Sequence, residues 1–260
     1  VTHALLPTLI ERRGARTALV TTEGFRDVIE MRTESRFDQY DLNIRLPEPL
    51  IPREHRFPVR GRMAADGSEL QPLDEPALEA LAERLAADGF GAVAVGFIHS
   101  YMNPAHERRA REILSARLDV PISLSSEVSP QMREYERFNT VAANAYVRPQ
   151  MASYLARLQV RLREMGANCP VFMIHSGGGL ISVETAAEFP VRLVESGPAG
   201  GAIEGLAHEA VDMGEVEALV RRLARRRHVG HRGVEHAVAP VRRVEPAGEA
   251  PVEIDRLQAR

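Results

Sequence analysis

Short apolar runs alternate with amphipathic helical patterns across residues 74–124, and this rhythm leaves few folds open. Asp74 stands ahead of a stretch whose apolar face is Leu78, Leu81, Ala82 and Leu85, closed by Gly89. An aspartate at the start and a glycine at the end are the natural boundary residues of a helix. The run AVAVGFI, residues 92–98, then reads as a buried strand. Asn103 caps a second helix with Pro104 at its first position, where the missing N–H costs nothing, and Ile113, Leu114 and Leu118 form its apolar face. Residues 120–124 supply another strand after a short link. Strand, helix, strand in this order predicts an α/β fold with a mostly parallel sheet and flanking helices.

The same alternation extends outward. ARTALV, residues 15–20, is expected to be a strand, and TTEGFRDVIEM a helix from Thr21 or Thr22. Residues 33–72 are rich in Pro, Arg and Asp and suggest an excursion or small subdomain with a turn at Ala65–Asp66–Gly67. From 135 to 165 the pattern is helical, and Pro149 predicts two helices, the second with Tyr154, Leu155, Leu158 and Leu162 on one face. Residues 169–174 read as a strand ending in HSGGGL. Ser182 caps a short helix with Glu184 in its first turn, and residues 191–194 form a strand that enters ESGPAGG, residues 195–201. The segments expected are 1–32, 33–72, a βαβ region at 73–134, a glycine-rich core at 135–214, and a divergent Arg-rich tail at 215–260.

Composition excludes several classes. A net charge of -3 gives no general case for nucleic-acid binding. The single cysteine, Cys169, argues against a disulfide scaffold and is expected to be a buried, inert thiol in a reducing compartment. No apolar run is long enough for a membrane span and no leader pattern occurs, so a soluble, cytoplasmic protein is expected. All 33 basic residues are arginine, which rules out a P-loop lysine or a Schiff-base lysine within this chain.

ESGPAGG can be an anion cradle, since glycines admit close approach and a helix start presents unpaired N–H groups, or a tight packing turn. A second strand-end glycine loop, with His175 and Ser176 ahead of three glycines, strengthens the ligand reading. His99, at the end of the 92–98 run, either orients substrate or holds a loop. Glu134, Glu136 and Arg137 form a charged patch that is either an internal ion network or a substrate contact, and Asn144 is either a helix-face hydrogen bonder or a substrate neighbour. His106 and Glu107 are expected to be structural, Glu107 beside the unpaired N–H groups of a helix start. No His, Cys or Asp spacing predicts a metal site.

RRGARTALVTTEGFRDVIEM, HSYMNPAHERRAREIL, EYERFNTVAANAYVRP, HSGGGLISVETAAEFPVR and ESGPAGGAIEG together resemble the ATP-dependent hydantoinase A and 5-oxoprolinase family over about residues 10–205. The resemblance implies part of an actin/Hsp70-like ATPase fold. It implies ATP and Mg²⁺, phosphorylation of the carbonyl of a cyclic amide such as a hydantoin, an N-methylhydantoin or 5-oxoproline, and a hydantoinase B-type partner subunit. Substrate-side residues would be His99, Glu134, Arg137, Asn144, His175 and Ser176; nucleotide neighbours would be Ser196, Gly197, Gly200 and Gly201. Related members carboxylate ketones. The family's GxDxGGTFTD-like and DMGGTSTD-like phosphate elements do not occur here, Asp212–Met213–Gly214 being a vestige of the second, and Gly177 stands where the family carries an asparagine. An incomplete polypeptide with impaired activity is therefore expected, or a non-catalytic interaction module that binds the B-type subunit.

Overall fold

Helix α1 (Thr2–Ile10) leads into β1 (Thr17–Thr22), all six of whose residues are buried. A short helix α2 (Val28–Met31) and a 3-10 turn at Arg53–His55 precede β2 (Arg56–Val59). There follow β3 (Arg62–Met63), β4 (Glu69–Gln71), α3 (Glu75–Ala87), β5 (Ala92–Gly96), α4 (Ala105–Ser115), β6 (Ile122–Leu124) and α5 (Ser125–Val128). Strands β2, β1, β5 and β6, in that order, form one parallel sheet. The computed structural model describes residues 2–33, 40, 41, 43, 44, 46–167 and 169–209, with backbone alone for residues 2–4, 6 and 204–209.

The sheet is covered on both faces, and the pleat decides which side chain goes where. Ala18, Val20, Val93 and Val95 point to one face, where they pack with Leu78, Leu81 and Leu85 of α3 and Ile113 and Leu114 of α4. Leu19, Ala92 and Ala94 point to the other, against Phe138, Val141, Ala142 and Ala145 of α6 (Glu134–Glu164). The α6 face of β5 thus carries only small residues. Gly96 completes that row: a Cβ there would lie 2.7 Å from Cδ1 of Phe138, so the close seating of the helix requires glycine. Asp74 caps α3 as the sequence predicts, its side chain accepting from Ala77 N–H at 3.1 Å. Helix α4 starts one residue later than expected, and Asn103 Oδ1 still accepts from Ala105 N–H at 3.0 Å.

Several expectations are corrected. Strand β1 runs on through Thr22, and the chain turns at Gly24 (φ +84°), so no helix begins at Thr21 or Thr22. Within segment 33–72, β2 lies in the main sheet beside β1, and the expected turn at 65–67 joins β3 to β4, with Asp66 accepting from Ser68 N–H at 2.9 Å. Helix α6 is continuous through Pro149. A proline inside a helix costs about 3 kcal/mol. Here Ala142 and Ala145 lie in one core, and Val147, Met151 and Leu155 in another. Each large buried apolar side chain contributes about 1.5–3 kcal/mol, so packing on both sides outweighs the lost rung.

Beyond the sheet, β7 (Phe172–Ile174) and β8 (Leu180–Ser182) pair antiparallel, followed by α7 (Val183–Glu188), a 3-10 turn at Pro190–Leu193 and α8 (Ser196–Glu209). The 169–174 run is therefore the first arm of a hairpin and not a strand of the parallel sheet, and 191–194 is no strand. Runs of three or four apolar residues carry no signal that separates these outcomes. Ser182 caps α7, accepting from Thr185 N–H at 3.2 Å. Cys169 is exposed, contrary to expectation. Asp212–Met213–Gly214 and the 215–260 tail lie outside the described residues.

Candidate functional site

The strand order places β2 on one side of β1 and β5 on the other, so the chain changes direction across the sheet between β1 and β5. In open parallel sheets this switch point leaves a crevice at the carboxyl ends of the two strands, where ligands bind. Here the segments leaving that edge are Thr22–Glu23 from β1 and Phe97–His99 from β5. Thr22 Oγ1 accepts from Ile98 N–H at 3.1 Å and ties the two segments together.

Two of the four non-glycine residues with positive φ among the described residues flank this edge, His99 at +58° and Arg133 at +78°. Left-handed backbone is costly for a residue with a Cβ, and persists only where the surroundings enforce it. Beneath His99 the enforcing groups are charged and buried. Glu107, wholly buried on α4, accepts from Phe97 N–H at 3.0 Å, Ser125 Oγ at 2.6 Å and Ser126 N–H at 2.8 Å. Its partners lie on the β5 exit and on α5, so the expected stabilisation by its own helix start is replaced by a tie between elements. Arg137, also wholly buried, donates to Phe97 O at 2.8 Å, Gln131 O at 3.0 Å and Ser125 Oγ at 3.1 Å. Since the Ser125 proton goes to Glu107, Ser100 Oγ, 3.1 Å from Ser125 Oγ, donates to it.

Above this base lie His99 and Glu134. Glu134 Oε1 accepts from Arg137 Nη2 at 3.4 Å and from His99 N–H at 3.5 Å, and lies 4.0 Å from His99 Nδ1. That Nδ1 is buried without a hydrogen-bond partner, while the side chain as a whole is 25% exposed. His99, Glu134 and Arg137, taken separately from the sequence, are thus neighbours. Glu107 and Ser125 complete the cluster. The hydroxyl directly after strand β6 was the only available sign of Ser125.

The other sequence candidates lie elsewhere. Asn144 is wholly buried and used at both ends: Nδ2 donates to Ser123 Oγ at 3.0 Å and Glu188 O at 3.1 Å, and Oδ1 accepts from Val191 N–H at 3.3 Å. It joins α6 to β6 and to the chain around α7. Next to it Arg148 donates to Ile122 O at 2.8 Å, and burial pulls its guanidinium below the usual arginine value. His175 and Ser176 form the β7–β8 turn with Gly178 at φ +79°, and His175 Nδ1 accepts from Gly177 N–H at 3.0 Å.

Ser196, Gly197, Gly200 and Gly201 fall in the first turns of α8, all in helical backbone. The two glycine segments meet, since Ser176 Oγ donates to Arg192 O at 2.8 Å and accepts from Glu195 N–H at 3.0 Å, and a Cβ on Gly200 would touch Ile174 at 3.5 Å. Among the described residues, and apart from its chain neighbours and its own helix backbone, nothing lies within 4 Å of a Cβ built on Gly201. Arg192 connects this group to the first, donating to Glu127 O of α5 at 3.3 Å. A surface cleft of about 490 Å³ between the end of α6 and β7–β8, lined by Leu162, Cys169 and Phe172, lies at neither group. Among the described residues no three His, Cys, Asp or Glu side chains are grouped to hold a metal ion, and no helix is long and apolar enough to cross a membrane.

Residues 2–118 match the hydantoinase/oxoprolinase N-terminal region, and residues 137–219 match the hydantoinase/oxoprolinase family. The chain is similar to caprolactamase subunit alpha of Pseudomonas jessenii, 38% identical over 208 residues covering 79% of this chain and 30% of the relative. It is also similar to the acetophenone carboxylase gamma subunit of Aromatoleum aromaticum, 33% identical over 228 residues covering 82% of this chain and 31% of the relative. The crystal structure of ATP-dependent caprolactamase from Pseudomonas jessenii superposes with a TM-score of 0.73 at 38% identity, covering 80% of this chain and 30% of that one. The chain therefore spans under a third of the length of these relatives.

Proposed function

Because the chain belongs to the hydantoinase/oxoprolinase superfamily, we propose that it serves in the ATP-dependent opening of a cyclic amide such as a lactam, a hydantoin or 5-oxoproline. The observation that carries this reading is the likeness to caprolactamase, in sequence and in fold together. An amide carbonyl is a poor electrophile. Transfer of the γ-phosphoryl group of ATP to its oxygen releases ADP and lets one water add at the carbon; the C–N bond then breaks, the nitrogen leaving as the amine and the carbon as an acyl phosphate, and a second water releases phosphate to give the ring-opened acid.

In this reading the sheet edge at His99 and Glu134 meets the amide, and Arg137 fixes their positions. The nucleotide approaches the chain at Gly201 in an actin/Hsp70-type arrangement. Mg²⁺ would come with the nucleotide, held mainly by its phosphates and by water, and among the described residues no three acidic, His or Cys side chains are grouped to hold it. A hydantoinase B-type subunit is the proposed partner and the cytoplasm the proposed location. A second reading, ketone carboxylation, draws on the acetophenone carboxylase likeness.

The test is ADP release by the chain, alone and with a B-type subunit, in the presence of ε-caprolactam, hydantoin, 5-oxoproline or acetophenone. Release stimulated by a cyclic amide supports the first reading, and release that needs acetophenone and bicarbonate replaces it with the second.

A further inference from the structure

His99 occupies a backbone conformation in which glycine would be free of strain, yet it carries a ring. Its φ of +58° costs about 1–2 kcal/mol for an L-residue. The ring is not used up internally. Nδ1 faces inward with no hydrogen-bond partner, Glu134 Oε1 is 4.0 Å from it, and the Tyr101 ring meets the imidazole edge-on at 6.0 Å between centroids. With Nδ1 buried, the exposed quarter of the side chain lies on its other atoms.

We propose that His99 reads the N–H edge of a cyclic amide at the β1/β5 edge, its Nε2 accepting a hydrogen bond from the ring N–H while Glu134 keeps the proton on Nδ1. The inference rests on the cyclic-amide reading above and adds the contact and its polarity. A carboxylate beside one imidazole nitrogen favours the N–H there and leaves the lone pair on the other, so the outward face of His99 is an acceptor. The rim agrees. Glu134 and Glu136 both stand in the first turn of α6, and each has one guanidinium beside it, Glu134 that of Arg137 at 3.4 Å and Glu136 that of Arg133 at 3.8 Å. A rim whose charges are paired suits a neutral N–H donor.

The test compares ε-caprolactam with N-methylcaprolactam, which lacks the N–H, by titration calorimetry on the 260-residue chain and on His99→Gly, with the Tm of both proteins. The expected result is that N-methylation weakens binding to the wild type by about tenfold or more and makes no difference to His99→Gly. His99→Gly loses affinity for ε-caprolactam while its Tm equals or exceeds that of the wild type, because glycine relieves the strained turn. A lowered Tm for His99→Gly would make the ring a structural support and overturn the proposal. So would equal binding of the two lactams by the wild type, or undiminished ε-caprolactam binding by the variant; both leave the cyclic-amide reading intact. If the wild type binds neither lactam, nor hydantoin, nor 5-oxoproline, that reading falls and the His99 contact falls with it.

Discussion

Glu107 and Arg137 hold the same residue from opposite sides: Phe97 donates its N–H to Glu107 at 3.0 Å and receives Arg137 on its carbonyl at 2.8 Å. Two opposite charges, both fully buried, thereby fix the exit of β5 two residues before His99, and they meet again on Ser125 Oγ. Each charge costs several kcal/mol to bury, and only compensation by opposite charge and hydrogen bonds makes the arrangement tolerable.

Removing one partner is therefore expected to be severe. Glu107→Ala or Arg137→Met should lower unfolding stability by about 3–5 kcal/mol, since the first leaves buried Arg137 with only its 3.4 Å contact to Glu134 and the second leaves Glu107 buried without the guanidinium. The double variant Glu107→Ala, Arg137→Met should be less destabilised than the sum of its parts. Urea denaturation of the four proteins measures this coupling, and strict additivity would refute it.

Gly96 and Phe138 make a second coupled pair. A methyl group on Gly96 meets the ring at 2.7 Å, so Gly96→Ala should destabilise by about 1–3 kcal/mol through overpacking. Phe138→Leu in the same chain should recover part of that loss. Thermal unfolding of the single and double variants checks it, and a Gly96→Ala protein as stable as the wild type would show that α6 can shift outward freely.

The βαβ region and the caps at Asp74, Asn103 and Ser182 were legible because each depends on residues within about four positions of one another. The β7–β8 hairpin was not. Phe172–Ile174 is apolar in either a parallel sheet or a hairpin, and only the pairing with Leu180–Ser182 decides. Pro149 misled for the opposite reason, since its local rule was sound and long-range packing overrode it. At the candidate site, His99, Glu134 and Arg137 were recognisable one by one. The role of Glu107 was not, because its three partners stand 10, 18 and 19 residues away along the chain.

Arg109 holds Glu75 by two hydrogen bonds of 2.8 and 2.7 Å and so keeps its carboxyl below the usual glutamate value. A carboxylate with a depressed folded-state pKa stabilises above its unfolded value, and that contribution is lost as pH falls through the folded one. Arg109→Met should move the Glu75 titration upward toward about 4.5 and bring acid unfolding to a higher pH. Carboxyl-carbon NMR shifts of Glu75 follow the first, and circular dichroism against pH follows the second. An unmoved Glu75 titration would show the pair is not formed in solution.

Pro149 gives the sharpest test of why α6 stays whole. The proline removes the N–H that would bond Ala145 O, and the Tyr146 carbonyl beside it accepts instead from Ala15 N–H at 2.9 Å. Gly14, whose Cβ would overlap the Tyr146 ring, allows that approach of the chain to the helix. Pro149→Ala restores the missing donor without disturbing the flanking cores, and should raise stability by about 1–3 kcal/mol after the extra freedom gained by the unfolded chain is subtracted. Guanidinium denaturation measures the change. If the variant is instead less stable, Pro149 is itself needed to seat Tyr146 against Gly14, and the helix is continuous because of the proline and not in spite of it.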